Sequence, residues 1–520
     1  MQHLMHHLIL VLFLIWRKQK KEISRGHSSV GRALPLQGRG QGFESPCLHP
    51  VKIKNFKSTP AIFIYFVFLC FLIPTIYPTS TNPDRGIFES VSFRLLAQDR
   101  LYEDVWDNKD PLFYYLNALT LKISPVADLF LEIGFFFLLS LIIFQINRNY
   151  TKSKTKNFLV SFIISPLILI QINYFPGYTH LPGEVLFLGI ILFILKGQEN
   201  FAGILLGILL FTKITLFPIA LLMLIFLGFK KIIKVKITIK FFTLTSAIVV
   251  LTMIFRQEFI PYANSLYLNY FYTLNTPSRF ETFFSLFNIK IDVISILTLV
   301  FIIYLNFTKF KVTNRKELLI MNSLMIATLF VAFFASKHPH HLQILTPTIL
   351  ITTLLFFHLI QNNKKIFRFL VTIILIYLVS ISNLYRVKDN WNNLKLFYKI
   401  DIEKSFGELA LLDIASTGTY ARLGQNDDNA HAKGLQNWKL ACPRFHQYPF
   451  EDVFIFKQTL DCIDEAEFLI ISPQFKEYSQ TSVWNEFVKL AMIEVGQKFN
   501  CKTLLNNQVC QNTRWGNNEQ

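Results

Sequence analysis

Apolar residues in this chain come in long blocks, separated by short polar stretches that are repeatedly rich in lysine and arginine. Such blocks predict membrane-spanning helices at about Ala61–Tyr77, Ala127–Ile146, Phe158–Ile172, Gly183–Leu195, Phe201–Phe211, Ile214–Leu227, Ile239–Phe255, Asp292–Phe307, Leu318–Ser336, Leu342–Ile360 and Ile366–Tyr385. Several fall short of the ~20 residues that a perpendicular helix needs, so tilted or re-entrant pieces are expected. The blocks flanking Thr212–Lys213 read either as one long helix or as a hairpin. After Tyr385 the pattern changes: Leu409–Ile414 and Phe468–Ile471 predict strands, whereas Val453–Cys462 and Val483–Val495 have helical spacing. The expected fold class is mainly α. It is a polytopic transmembrane helix bundle over residues 51–385, of about eleven spans, with a small extracytoplasmic α/β domain over 386–520.

Charge sets the orientation. Basic clusters occur at Lys52/Lys54/Lys57, Arg148/Lys152/Lys154/Lys156, Lys230/Lys231/Lys234/Lys236, Lys309/Lys311/Arg315/Lys316 and Lys364/Lys365/Arg368. The spans above place all five clusters on the cytoplasmic side of a cell (inner) membrane. Pro78–Val126, Asn173–Pro182, Arg256–Ile291, Lys337–His341 and everything after Tyr385 then face outward. A net charge of +18 over 520 residues raises nucleic acid as a partner, but the lysines flank apolar blocks instead of lining an exposed helix. The 52% hydrophobic content argues against an ordinary soluble protein and for a lipid bilayer partner.

Residues 1–50 are set apart. Ser24–His49 reads like the conceptual translation of a transfer-RNA gene, so this stretch is expected to be a disordered gene-model artefact, with Val51 as the natural start. The competing reading is a signal peptide, because His7–Trp16 is apolar enough for one. Four of the six cysteines, Cys442, Cys462, Cys501 and Cys510, lie in the C-terminal region. An even number in an outward-facing domain points to disulfides, Cys442–Cys462 and Cys501–Cys510 by proximity. Free thiols or zinc are the alternatives, although no CxxC pair is present.

The first outer loop concentrates charge against the membrane surface, with Asp84, Glu89, Arg94, Asp99, Arg100, Glu103, Asp104, Asp107, Lys109 and Asp110. Phe88–Leu96 and Leu112–Leu121 within it are amphipathic at helical spacing, as interfacial segments are. The pattern Asp84-x-Gly86-x-Phe88, then Leu101-Tyr102-x-Asp104-x-x-Asp107-x-Lys109-x-Pro111-Leu112, resembles the first outer loop of GT-C membrane glycosyltransferases. It is most similar to bacterial relatives of protein O-mannosyltransferases and of lipid A aminoarabinose transferases. Gly203-x-x-x-Gly207 leading to Lys213, the segment Tyr174–Glu184, and Lys337-x-Pro339-His340-His341 fit the same family. The resemblance covers about Ala61–Tyr385.

The resemblance implies a transferase that moves a sugar from a polyprenyl-phosphate carrier to a glycan, lipid or protein acceptor in the cell envelope, at the outer face. It implies Asp84 as the catalytic carboxylate, taking the acceptor's proton, and Lys109 as the cation against the lipid phosphate. Where the family often has an acidic residue after this aspartate, the chain has Arg85. No cofactor is implied, and a divalent cation is possible but not indicated. Arg100 is a second phosphate candidate, with Asp104 and Asp107 orienting the cations. Glu184, Lys213, Lys337, His340 and His341 are further candidates for substrate or phosphate contact. The residues alone leave other readings open: Asp84 as a turn residue in NPDRG, Lys109 and Lys213 as snorkelling lysines, and Glu184 as a helix cap. The histidines near His340 also permit a metal, although no carboxylate lies close in sequence. A lipid or sugar flippase or secondary transporter is the alternative function, against which stand the lack of an internal repeat and the clustering of ionisable residues at one face.

Overall fold

In a computed structural model of the protein, the described residues are 63–67, 69–70, 83–123, 127–148, 153–171, 179–275, 320, 322–324, 326, 346–360, 418–424, 439–444, 447, 453–472, 475, 482–504 and 507–514. The expected spans Asp292–Phe307 and Ile366–Tyr385, the strand Leu409–Ile414, and Lys337, His340 and His341 lie outside them, as do residues 1–50.

The segment expected as the first outer loop is itself largely helical. Helix α1 (Pro83–Leu96) and helix α2 (Pro111–Ile123) each begin on a proline, which loses nothing there because the first N–H groups of a helix have no partner. Helix α3 (Ala127–Asn147) follows. The predicted span Phe158–Ile172 is broken into α4 (Lys154–Phe158), a π-helical turn (Leu159–Ile164) and α5 (Ser165–Gln171). The wide turn precedes Pro166, which has no N–H to continue the ladder, and Ser165 Oγ donates to the Val160 carbonyl at 2.8 Å. Next come α6 (His180–Leu195), α7 (Glu199–Leu210), α8 (Phe217–Phe229), α9 (Val235–Phe255), α10 (Phe259–Asn275) and α11 (Thr346–Ile360). The sequence around Thr212–Lys213 thus forms a hairpin. Helix α10 falls where an outward loop was expected.

An apolar core joins α3, the α4–α5 run, α6, α7 and α8, with Phe136, Phe162, Phe187 and Met223 fully enclosed. Helix α7 lies directly against α9 because Gly203 and Gly207 present no side chain. A Cβ on Gly203 would meet the Thr238 carbonyl oxygen at 2.3 Å, and one on Gly207 would meet Thr245 Cβ at 2.8 Å. Small residues four apart permit such backbone approach. Two described helices, Leu129–Asn147 and Val235–Phe255, are long and apolar enough to cross a bilayer, and α6, α7 and α8 are shorter apolar helices.

The C-terminal region carries a small α/β unit. Strands β1 (Thr419–Leu423), β2 (Lys439–Leu440), β3 (Phe468–Ile471), β4 (Phe499–Leu504) and β5 (Asn507–Asn512) form one mixed sheet in the order β2-β1-β3-β5-β4. Strands β2, β1 and β3 are parallel, and β5 pairs antiparallel with both β3 and β4. Helices α12 (Val453–Ile463) and α13 (Ser482–Lys498) cover the sheet through Phe456, Trp484 and Phe487. Both expected disulfides form. Cys442–Cys462 ties the chain after β2 to α12, and Cys501–Cys510 joins directly opposed residues of the β4–β5 hairpin.

Candidate functional site

Between α1 and α2 the chain ties a compact knot, and each position of the Leu101–Pro111 pattern has a task in it. Leu101 N donates to Glu258 Oε1 at 3.1 Å. Tyr102 adopts a left-handed backbone (φ 68°), its N–H donates to the Val105 carbonyl at 2.7 Å, and its hydroxyl donates to the Lys109 carbonyl at 2.6 Å. A bulky residue in that region is strained, and it persists because the surroundings fix it. Asp104 receives two parallel bonds from Arg100, Nε to Oδ2 and Nη2 to Oδ1, both at 3.0 Å. Asp107 Oδ2 accepts from the Tyr114 hydroxyl, and Lys109 Nζ donates to Asn108 Oδ1. Asn269 of α10 donates to the Asn108 carbonyl at 2.7 Å. The hydrogen bond from Arg100 holds the Asp104 carboxyl below the usual carboxylate range.

The α7–α8 turn meets this knot from beneath. Asp110, only 6% exposed, accepts from Ile214 N at 2.8 Å and from the Tyr262 hydroxyl at 3.1 Å. Burial pushes the Asp110 carboxyl up, against the pull of the Ile214 amide and of Lys213. Lys213 is 7% exposed, with Nζ 3.1 Å from Thr179 Oγ1 and 3.3 Å from His180 Nε2. Its ammonium is thus held inside the fold and does not snorkel. It is electrostatically close to Glu184 as well, which is 1% exposed on α6, and Gly183 makes room for it, since a Cβ there would meet Lys213 Cβ at 2.8 Å.

A second network closes the far side. Arg256 Nε donates to the Tyr115 hydroxyl and to Glu258 Oε1, both at 2.9 Å, while Tyr115 donates to the other oxygen of Glu258. The Arg256 guanidinium also lies 5.1 Å from the Tyr115 ring centroid. The C-terminal unit touches the knot directly. Trp106 N donates to the Pro443 carbonyl at 2.8 Å, and the Arg444 guanidinium stacks 3.5 Å from the Trp106 ring centroid. Burial pushes the nearby Tyr420 hydroxyl up to about 12, with Arg94 and Arg422 opposing.

The loop residues Arg100, Asp104, Asp107 and Lys109 therefore gather in one knot, and Lys213 lies beneath it beside Gly183, the residue before Glu184. Arg100 is engaged by Asp104 and by Gln257, the latter at 3.1 Å. The backbone sets Asp84 in the first turn of α1, and its side chain lies outside the described residues. By helical spacing position 84 shares a face with Phe88, whose ring packs edge-on against Phe113 at 5.0 Å and beside Tyr114 at 5.4 Å. Sequence reasoning gave no individual role to Asp110, Arg256, Glu258, Tyr262, Thr179 or His180, although Asp110 counted among the loop's charges and Thr179 and His180 fall within the Tyr174–Glu184 segment. Asp110 had a signal, since an aspartate before Pro111 reads as a helix cap, but its partners lie 104 and 152 residues away.

Neither the models of known protein families nor the curated proteins match this sequence. Solved structures do. The crystal structure of ArnT from Cupriavidus metallidurans bound to undecaprenyl phosphate overlays with a TM-score of 0.53 at 10% identity, over 88% of this chain and 98% of that one. An apo oligosaccharyltransferase from Archaeoglobus fulgidus gives 0.48 at 10% identity, over 89% of this chain and 75% of that one. AglB from the same organism, with an inhibitory peptide and a dolichol-phosphate, gives 0.44 at 10% identity, over 88% and 74%. The chain shares its fold with that ArnT structure.

Proposed function

We propose that this chain is a membrane glycosyltransferase that moves a sugar from a polyprenyl-phosphate carrier to a hydroxyl-bearing acceptor in the cell envelope. The observation that carries the reading is the convergence at the knot. The face of α1 that begins at Asp84 runs onto α2 and the Asp107–Asp110 segment, with the buried ammonium of Lys213 beneath. The fold shared with an ArnT structure that holds undecaprenyl phosphate supports a lipid-phosphate donor. Two disulfides in the C-terminal unit agree with an oxidising, outward-facing compartment, the side to which the basic clusters assign the loop.

In this scheme the acceptor oxygen attacks the anomeric carbon as the bond from that carbon to the phosphate oxygen breaks. Asp84 takes the acceptor's proton, and the electron pair leaves on the lipid phosphate. Lys109 stabilises the charge gained by that phosphate, which grows in the transition state. Lys213, with Thr179 and His180, supplies a second, deeper cationic group. Asp104 and Asp107 do no bond chemistry. They hold Arg100 and the Tyr114 side of the loop.

The test is turnover by the full-length protein reconstituted in liposomes, given undecaprenyl-phosphate sugars of several kinds and a cell-envelope extract as the source of hydroxyl acceptors, and scored by release of undecaprenyl phosphate. Asp84→Asn is expected to lower the rate about 100-fold or more, the usual scale of a lost general base, with an unchanged melting temperature. A wild-type rate in D84N would remove Asp84 from the mechanism.

A further inference from the structure

Three contacts of different kinds join the α/β unit to the knot, and they come from one short stretch, Leu440–Arg444. Leu440 packs against the apolar cluster that includes Leu101, Val105 and Trp106. Pro443 offers its carbonyl to Trp106 N at 2.8 Å, and Arg444 lays its guanidinium 3.5 Å from the Trp106 ring centroid. Both Trp106 and Arg444 are buried, so this cation–π contact is largely desolvated, where such contacts are strongest.

Among the described residues, strand β2 lies at one end of the sheet and pairs with β1 at two positions, Thr419↔Lys439 and Tyr420↔Leu440. Two other anchors hold the stretch that follows it. Cys442 is bonded to Cys462 on α12. The buried Gln447 amide donates to the carbonyls of Arg444 at 3.2 Å and Arg422 at 3.0 Å, while its oxygen accepts from Gly424 N at 2.7 Å. The disulfide at Cys442 and the Gln447 amide thus flank Pro443 and Arg444, which grip Trp106. Asp107 follows Trp106 directly, and Lys109 and Asp110 come next.

We infer that Leu440–Arg444 is a positioning clamp, held by Cys442–Cys462 and Gln447, that sets where the Trp106–Asp110 segment of the loop stands. Arg444 acts through Trp106 and touches no reacting atom. Its consequence for the site rests on the transferase reading above. The clamp on the loop rests on the contacts alone.

The experiment is hydrogen exchange of the full-length protein in detergent, read at the Trp106 amide, which the Pro443 carbonyl protects. Arg444→Ala should speed that exchange about tenfold, the scale of a desolvated cation–π contact, and Arg444→Lys should restore part of the protection. Cys442→Ala/Cys462→Ala should speed it as well. Cys501→Ala/Cys510→Ala is the control, because that disulfide lies in the β4–β5 hairpin at the opposite edge of the sheet from β2. Unchanged exchange in R444A, or equal acceleration by both disulfide removals, overturns the clamp.

A second arm measures the Kd for undecaprenyl phosphate. R444A should weaken it several-fold at an unchanged melting temperature. An unchanged Kd in R444A, with wild type binding well, overturns the clamp's role at the site. No binding by wild type overturns the transferase reading, while the exchange result still decides the clamp.

Discussion

At the scale of single residues, the centre of the account is a buried lysine. Lys213 donates to Thr179 Oγ1, lies within hydrogen-bond reach of His180 Nε2, and acts through its charge on the carboxyls of Asp110 and Glu184. Charge in a bundle interior is costly unless it is paired or in use. On the proposed function, Lys213→Met should weaken undecaprenyl phosphate binding about tenfold or more, as expected when a charge-assisted contact is lost. A binding isotherm that overlays wild type would show the lysine to be structural only. Two nearby carboxyls act in opposite directions with pH. Asp104 is held low by Arg100, so its contribution to stability is complete above the ordinary carboxylate range and is lost as pH falls through its depressed value. Asp110 is pushed up by burial, so its ionisation opposes folding, and stability is lost as pH rises through its raised value. Asp110→Asn removes that second slope. Melting temperatures across the acidic range should therefore favour D110N over wild type increasingly as pH rises, and a difference independent of pH would contradict the assignment.

At the scale of elements, what the sequence made legible were the features encoded locally. Apolar blocks located α3 and α6 to α9, since long apolar runs signal helices wherever they pack. The two amphipathic pieces of the expected outer loop became parts of α1 and α2, and the local cysteine pairs became the two disulfides. Strands β1, β2, β4 and β5 were missed because none carries a run of apolar residues: β1 is TYARL, β2 is two residues long, and β4 and β5 are polar sequences bearing cysteine and asparagine; sheet pairing supplies what local pattern does not. Helix α10 was missed for a related reason. Its sequence FIPYANSLYLNYFYTLN mixes aromatic and polar positions, and its place is set by Tyr262 on Asp110 and Asn269 on the Asn108 carbonyl. The Gly203-x-x-x-Gly207 pattern entered as a family feature and has a packing explanation at the α7–α9 contact. Gly203→Ala should destabilise the protein by about 1–3 kcal/mol, because the atom in its way is backbone and cannot swing aside. Gly134→Ala, with nothing within 4 Å of the new methyl, should be neutral or slightly stabilising. Equal melting temperatures for the two variants would contradict the close approach.

At the scale of the whole molecule, the helix bundle, the loop between α1 and α2, and the α/β unit meet at one place. Trp106 joins the loop to the C-terminal sheet, and Asp110 joins it to the α7–α8 turn and α10. None of those junctions was visible as a motif, because each pairs residues remote in sequence. The family resemblance pointed to the loop, and the structure adds what surrounds it. The central claim is that this junction receives a lipid phosphate. It is tested most directly by native mass spectrometry of the detergent-purified protein with undecaprenyl phosphate and, in parallel, undecaprenol. The account predicts a one-to-one adduct with the phosphate lipid, little with the alcohol, and loss of the adduct in Lys109→Ala/Lys213→Met. Equal binding of the two lipids, or an adduct that survives both substitutions, would contradict it.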